Sequence, residues 1–234
     1  MKIYLVGIGM GDCDTLTKRA EQVINEADII IGAKRVTENI SSGKTIFNSY
    51  KAEEIADYLK NRQEESVAVL LSGDIGFYSG AKRLIEVLKD YETELIPGIS
   101  SAVYFCARLK TEWEDAKLLS LHGKTSNAIG YIRRYKKVFM ILSGNDSIKE
   151  LCSKLCYYNM GDIVLHIGQR LSYSDEKIIT VKAEDIKEFD FDNLSVVLAE
   201  NTNPVDLSMS SIKDDAFVRG DVPMTKSEIR TLSI

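Results

Sequence analysis

Strand-like runs that end in a glycine loop and give way to a helical stripe occur three times in the first half of this chain, and few folds accommodate that pattern. Residues 2–6 run into Gly7-Ile8-Gly9-Met10-Gly11, Val67 to Leu71 into Ser72-Gly73-Asp74, and Thr93 to Ile96 into Pro97-Gly98-Ile99-Ser100-Ser101. A shorter run, Ile29-Ile30-Ile31, stops at Gly32. Between them the apolar residues recur at helical spacing: Leu16, Ala20, Val23, Ile24 and Ala27 over 15–27, then Ile55 and Leu59 over 52–62. Phe77, Ala81, Leu84, Ile85 and Leu88 form another such stripe, and a last helix runs from Ser100 to Leu109. Strands that are apolar on both faces must be covered on both faces, and strands separated by helices pair in parallel. The pattern predicts a parallel sheet between helices, with right-handed crossovers.

The second half has a different grain. Leu118 to Leu121, Val138 to Leu142, Ile163 to Ile167, Lys177 to Val181 and Leu194 to Leu198 read as strands, with helices near 126–135 and 146–158. Strands crowd together over 169–193 with too little chain between them for helical crossovers, which predicts a mixed sheet. The expected division falls near Thr111 to Asp115, giving an α/β chain of two αβα domains, 1–113 and 114–234. Near the end, Thr225 to Glu228 has the pattern of a capping box opening a short helix.

Charge removes several function classes. Thirty Lys and Arg stand against 35 Asp and Glu, a net charge of −5, which is not the footprint of a phosphate-backbone binder, so no nucleic-acid partner is expected. No apolar run is long enough for a membrane helix, and the N-terminal apolar stretch breaks at Gly7 with no cleavage site after it. The chain is therefore expected in the cytoplasm. Cys13, Cys106, Cys152 and Cys156 form no CxxC pair and no Cys/His cluster, and are expected as small core residues with no metal.

In an open parallel sheet, ligands bind outside the carboxyl ends of the strands, so the three glycine loops are expected to line one crevice. Glycine lets backbone approach a ligand closely, Ser100 or Ser101 can cap the following helix, and Asp74 offers a carboxylate to a sugar or an amine. A dinucleotide site is disfavoured. The first loop reads G-x-G-x-G rather than G-x-G-x-x-G, and the second strand ends in Gly32-Ala33-Lys34 with no acid. A P-loop lysine frame is also missing. His166 lies within an apolar run and reads as a core residue, whereas His122, beside Gly123 at a strand end, is balanced between a structural and a site role. Trp113 and the tyrosines read as core or domain-joint residues.

At these loops the sequence resembles a known family. Val6-Gly7-Ile8-Gly9-Met10-Gly11-Asp12 with Leu16-Thr17 is similar to the opening of the tetrapyrrole methylases, class III S-adenosylmethionine methyltransferases of two αβα domains. Gly32-Ala33-Lys34-Arg35, Leu71 to Tyr78, Ile96 to Ser101, Ser120-Leu121-His122-Gly123 and the ending Pro223 to Arg230 resemble the branch that methylates C5 of precorrin-7 or cobalt-precorrin-7 in cobalamin synthesis. Met10 and Ile75 stand where the family usually has proline, which frees φ in two turns.

The resemblance implies that S-adenosylmethionine lies folded between the domains, with Ser72, Gly73, Asp74 and Phe77 lining its pocket and Ser100 and Ser101 meeting it from the next loop. Leu142, Leu198 and Ala199 would pack on the adenine side, and Gly7, Gly9 and Gly11 would face the macrocycle. His122 is the implied contact to substrate and a possible base, a carboxylate being the alternative. Lys34, Arg35 or Lys124 would pair with carboxylates of the tetrapyrrole or else be solvated surface charges. A homodimer is implied. Because some relatives carry a fused decarboxylating methyltransferase and this chain stops at Ile234, a separate C15-methyltransferase/decarboxylase is the expected functional partner. The competing readings are another class III methylase, acting on a different tetrapyrrole or a macromolecule, and a non-catalytic ligand-binding protein of the same fold.

Overall fold

The computed structural model describes residues 1–205 other than 39–42, 65, 122–126, 144, 189 and 193. His122, Lys124 and the capping box at Thr225 lie outside the described residues.

The first sheet is built from β1 (Lys2–Gly7), β2 (Ile29–Gly32), β3 (Thr45–Asn48), β4 (Ser66–Leu71) and β5 (Glu92–Ile96), in the order β3-β2-β4-β1-β5, with every pair parallel. Strand alternation explains the unbroken apolar runs. Ile3, Leu5, Ile29, Ile31, Val67 and Val69 point to one face, under α3 (Ala52–Leu59) and α4 (Ala81–Val87). Val6, Ile30, Ala68 and Leu70 point to the other, under α1 (Lys18–Glu26), whose N-cap Thr17 accepts a hydrogen bond from Ala20 N. The helices after β1 and β4 thus leave neighbouring strands toward opposite faces, which makes the carboxyl ends of that pair a topological switch point.

Two elements escape the periodicity. β3 is a largely exposed edge strand, and α2 (Lys34–Thr37) is a single turn. The stripe from Phe77 is also shorter as a helix than its spacing predicts: α4 begins at Ala81, and Phe77 sits in the preceding turn.

The second sheet takes β6 (Lys117–Ser120), β7 (Lys137–Ser143), β8 (Val164–Gln169), β9 (Lys177–Lys182) and β10 (Leu194–Glu200) in the order β6-β7-β10-β8-β9. Only β6-β7 is parallel among these pairs, so the sheet is mixed. Val138, Met140, Val197 and Ala199 face α6 (Ala128–Arg134) and α7 (Asn145–Tyr157). Phe139, Val196 and Leu198 face α5 (Ser101–Leu109) of the first lobe, where Ala102, Phe105 and Cys106 complete a shared apolar cluster. Residues 110–116 connect the lobes, and Lys137 ties that connection down through Glu112 (3.0 Å) and Asp115 (3.2 Å).

Several side chains sit differently from their sequence reading. Cys106 and Cys152 are buried, but Cys13 and Cys156 are exposed. Burial pushes the Cys152 thiol up to about 12, so it is an inert core group. Trp113 is half-exposed in the connection, and Tyr50 and Tyr157 are largely exposed rather than core. His166 lies on β8 with Nδ1 2.8 Å from Thr180 Oγ1 and Nε2 3.4 Å from Glu200, a structural setting away from the loops.

Candidate active site

The loops after β1, β4 and β5 meet backbone to backbone. Gly9 and Gly73 exchange both main-chain hydrogen bonds, Gly9 N to Gly73 O at 3.1 Å and Gly73 N to Gly9 O at 2.6 Å. Both hold left-handed φ values, +69° and +73°. A Cβ on Gly7 would fall 2.7 Å from Gly98 N, and one on Gly98 would fall 2.6 Å from the Gly7 carbonyl carbon and hard against Gly73 O. Asp74 locks this junction: Oδ1 accepts from Gly76 N (2.8 Å) and Oδ2 from Gly98 N (3.1 Å). The carboxylate read from sequence as a ligand contact is thus engaged by two loops, and Asp74 is absent from the cleft lining. Ser100 is likewise turned inward, its Oγ accepting from Val103 N as the N-cap of α5.

A cavity of about 260 Å³ opens between the lobes beside this junction. Ser72, Gly73, Phe77 and Ser101 line it from the first lobe and Leu142 from the second, so five of the expected donor-site residues converge there. Leu198 is fully buried in the interlobe cluster, and Ala199 points to the α6/α7 side; Ser195 and Val196, earlier on β10, reach the cavity instead. Gly7 and Gly9 are buried within the loop junction. Gly11, with φ +124°, faces Tyr173, whose hydroxyl would lie 2.7 Å from a Cβ there. A second cavity of about 680 Å³ lies at the ends of β6 and β7 against α6 and α7, and Leu142 borders both.

Sequence reasoning missed the far wall. Arg170, Leu171 and Tyr173 come from the turn after β8, which was read only as a tight strand connection. Its available signal is the Arg-x-x-Tyr-x-x-Glu spacing of Arg170, Tyr173 and Glu176. Arg170 and Ser172 hold left-handed φ values of +47° and +68°, and Arg170 stacks on the Tyr173 ring at 5.0 Å. Tyr78, also missed, has φ +49° and donates its hydroxyl hydrogen to Leu118 O across the lobes (2.9 Å). Non-glycine residues in this region are strained, and here they gather on opposite sides of one cleft.

Polar contacts hold the lobes in register. Asp12 N donates to Ser172 Oγ at 3.2 Å. Glu176 accepts from Tyr104 Oη (2.7 Å), from Arg108 Nε (2.8 Å) and from Ser172 N (2.8 Å). Burial pushes the Glu176 carboxyl up, but these three donors outweigh it and its pKa lies below the ordinary range. Asp12, Cys13 and Asp14 bring possible ligand atoms within 4.8 Å on the exposed rim, where Asp12 Oδ1 already accepts from Asp14 N. Arg35, from α2, donates Nη2–H to Ser72 Oγ at 3.1 Å.

A family model for tetrapyrrole (corrin/porphyrin) methylases matches residues 2–187. A protein of Methanocaldococcus jannaschii described as a probable cobalt-precorrin-7 C(5)-methyltransferase is 32% identical over 87% of this chain and 100% of its own length. The cobalt-precorrin-7 C(5)-methyltransferase of Salmonella typhimurium is 26% identical over 75% of this chain and 88% of its own. Among solved structures, uroporphyrin-III C-methyl transferase from Thermus thermophilus, complexed with S-adenyl homocysteine, superposes with a TM-score of 0.71 at 20% identity, over 86% of this chain and 97% of that one. Two sheets meeting at a glycine-loop cleft, together with a family match over most of the length, lead to one conclusion: this chain belongs to the tetrapyrrole methylase family.

Proposed function

We propose that this member of the family methylates C5 of precorrin-7 or its cobalt form, using S-adenosylmethionine as donor. The observation that carries the reading is the interlobe cleft, where the β4 loop and the start of α5 oppose β7 and β10, in a chain 87% of which aligns with the whole length of a protein described as a probable cobalt-precorrin-7 C(5)-methyltransferase. The alternative within the family is a methyltransferase acting on another tetrapyrrole.

The residues present suit the donor. Gly73 presents backbone to the cleft with no side chain in the way, which leaves room for close approach of a nucleoside or amino-acid moiety. Ser72, Gly73 and Ser101 offer polar groups, while Phe77, Ile141, Leu142 and Val196 offer apolar contact. When bound, the donor supplies an electrophilic methyl carbon. The protein's own task is alignment: two lobes fix the walls of the cleft and supply its apolar lining. Orientation of this kind can account for ~7–11 kcal/mol of barrier lowering. No residue of the described cleft is assigned as the base; His122 is proposed to contact substrate from outside the described residues.

The test is incubation with S-adenosylmethionine and cobalt-precorrin-7, followed by mass spectrometry and carbon NMR of the product. Gain of one methyl group at C5 is expected. Methylation of a different tetrapyrrole with cobalt-precorrin-7 untouched would transfer the assignment to the alternative.

A further inference from the structure

We propose that Arg35 and Arg170, reaching one cleft from opposite lobes, form a carboxylate clamp that reads the acidic groups of the bound molecules. Among the described residues fourteen line the cavity, and these two arginines are the only charged ones of them, in a chain whose net charge is −5. The guanidinium groups stand on opposite walls of a concave site, with Arg170 partly balanced by Asp175 and Asp192. Guanidinium groups suit carboxylates because their planar fork offers parallel N–H donors.

Each arginine is prepared for this role by different means. Arg35 stands on the short α2 just past β2, its one hydrogen bond among the described residues is to Ser72 Oγ, and no carboxylate among the described residues pairs with it. Arg170 is held more firmly. Its backbone is in the left-handed region, its guanidinium stacks on Tyr173, and Asp175 Oδ2 lies 2.6 Å from Nε. This ion pair orients the group. Asp192 lies 3.9 Å from Nη1, on the same acidic side. A ligand with carboxylates on its periphery meets one arginine from each lobe, so the clamp sets which way round it sits.

The inference rests on the cleft being the methyl-transfer site. Two molecules there would bring carboxylates: the macrocycle on its side arms and the donor on its amino-acid end. Two binding measurements separate these sources, both independent of turnover. The first is fluorescence titration with uroporphyrin, a porphyrin carrying carboxylates around its whole rim. The second is calorimetry with S-adenosylhomocysteine and with 5′-methylthioadenosine, which keeps the nucleoside but lacks the amino-acid carboxylate. Arg35→Gln and Arg170→Gln are each expected to weaken uroporphyrin about tenfold and to flatten its salt dependence, with Arg35→Lys and Arg170→Lys recovering part of the loss. Methylthioadenosine binding is expected to stay unchanged, which also shows that the variants fold. Should S-adenosylhomocysteine weaken instead while uroporphyrin holds, the clamp stands with the donor as its ligand. If neither acid-bearing ligand responds, or wild type binds neither, the clamp is overturned. Turnover of cobalt-precorrin-7 by wild type reports separately on the proposed function.

Discussion

A methyl group added at Gly98 has nowhere to go, because Gly7 and Gly73 already press their backbones against that position. Neither neighbour can yield as a flexible side chain would, since the clash is with main-chain atoms of two strand ends. Gly98→Ala is therefore expected to destabilise the fold by roughly 1–3 kcal/mol and to weaken S-adenosylhomocysteine binding, read by urea unfolding and calorimetry. Gly80→Ala is the control: its φ is −73° and its new Cβ would have only Leu71 Cδ2, at 4.0 Å, for company. A change within about 1 kcal/mol is expected there, and equal losses at the two sites would refute the junction's role. The same logic ranks two aspartates. Asp74 joins two loops through Gly76 N and Gly98 N, whereas Asp12 Oδ1 caps its own turn through Asp14 N. Asp74→Ala should weaken the donor analogue more than Asp12→Ala does, with a stability loss on the order of 1–3 kcal/mol from the freed amides.

Among the elements, α5 does work that its sequence only half discloses. The stripe over 100–109 reads as a helix capped by Ser100 or Ser101, and the structure gives the cap to Ser100. That the helix covers the second lobe's sheet was not legible, because periodicity reports that a face is buried and not what buries it. Phe105 is completely buried there, with its ring centroid 6.4 Å from that of Phe139 on β7. Phe105→Ala should cost about 3–5 kcal/mol, and a loss well below that in urea unfolding would mean the lobes repack around the gap. The same limit explains what else was missed. The parallel sheet was readable because Ile29-Ile30-Ile31 and Val67 to Leu71 need cover on both faces, whereas Thr45–Asn48 is an edge with little to bury. Ser72, Gly73 and Ser101 follow from the rule about strand ends, but Arg170 and Tyr173 belong to a turn whose place at the cleft is created by lobe docking. Leu198 was legible as apolar strand, and only register shows that Val196 of the same face reaches the cavity.

For the molecule as a whole, cleft geometry is set by how the two lobes dock, and Glu176 is the charged centre of that docking. Its side chain is 12% exposed and is held by Tyr104 and Arg108 of α5 in addition to its own turn. The turn it stabilises carries Arg170 and Tyr173, so the same contact that joins the lobes shapes the cavity wall. Because its carboxyl titrates below the ordinary glutamate range in the folded state, the ionised form is the one the docked lobes favour. The stabilisation is fully present above the unfolded-state pKa and is lost as the pH falls through the depressed folded value. Glu176→Gln is expected to lower stability at neutral pH and to flatten the acid limb of the urea midpoint as the pH falls through and below the ordinary glutamate pKa. Tyr104→Phe, which removes one donor, should move the wild-type limb toward higher pH without abolishing it. S-adenosylhomocysteine affinity should decline over the same window in wild type and lose that dependence in Glu176→Gln, since the ligand needs walls from both lobes. Parallel limbs in wild type and Glu176→Gln would assign the acid sensitivity to other carboxylates and leave the docking to the Phe105 cluster and the uncharged contacts of Asp12 N and Tyr78.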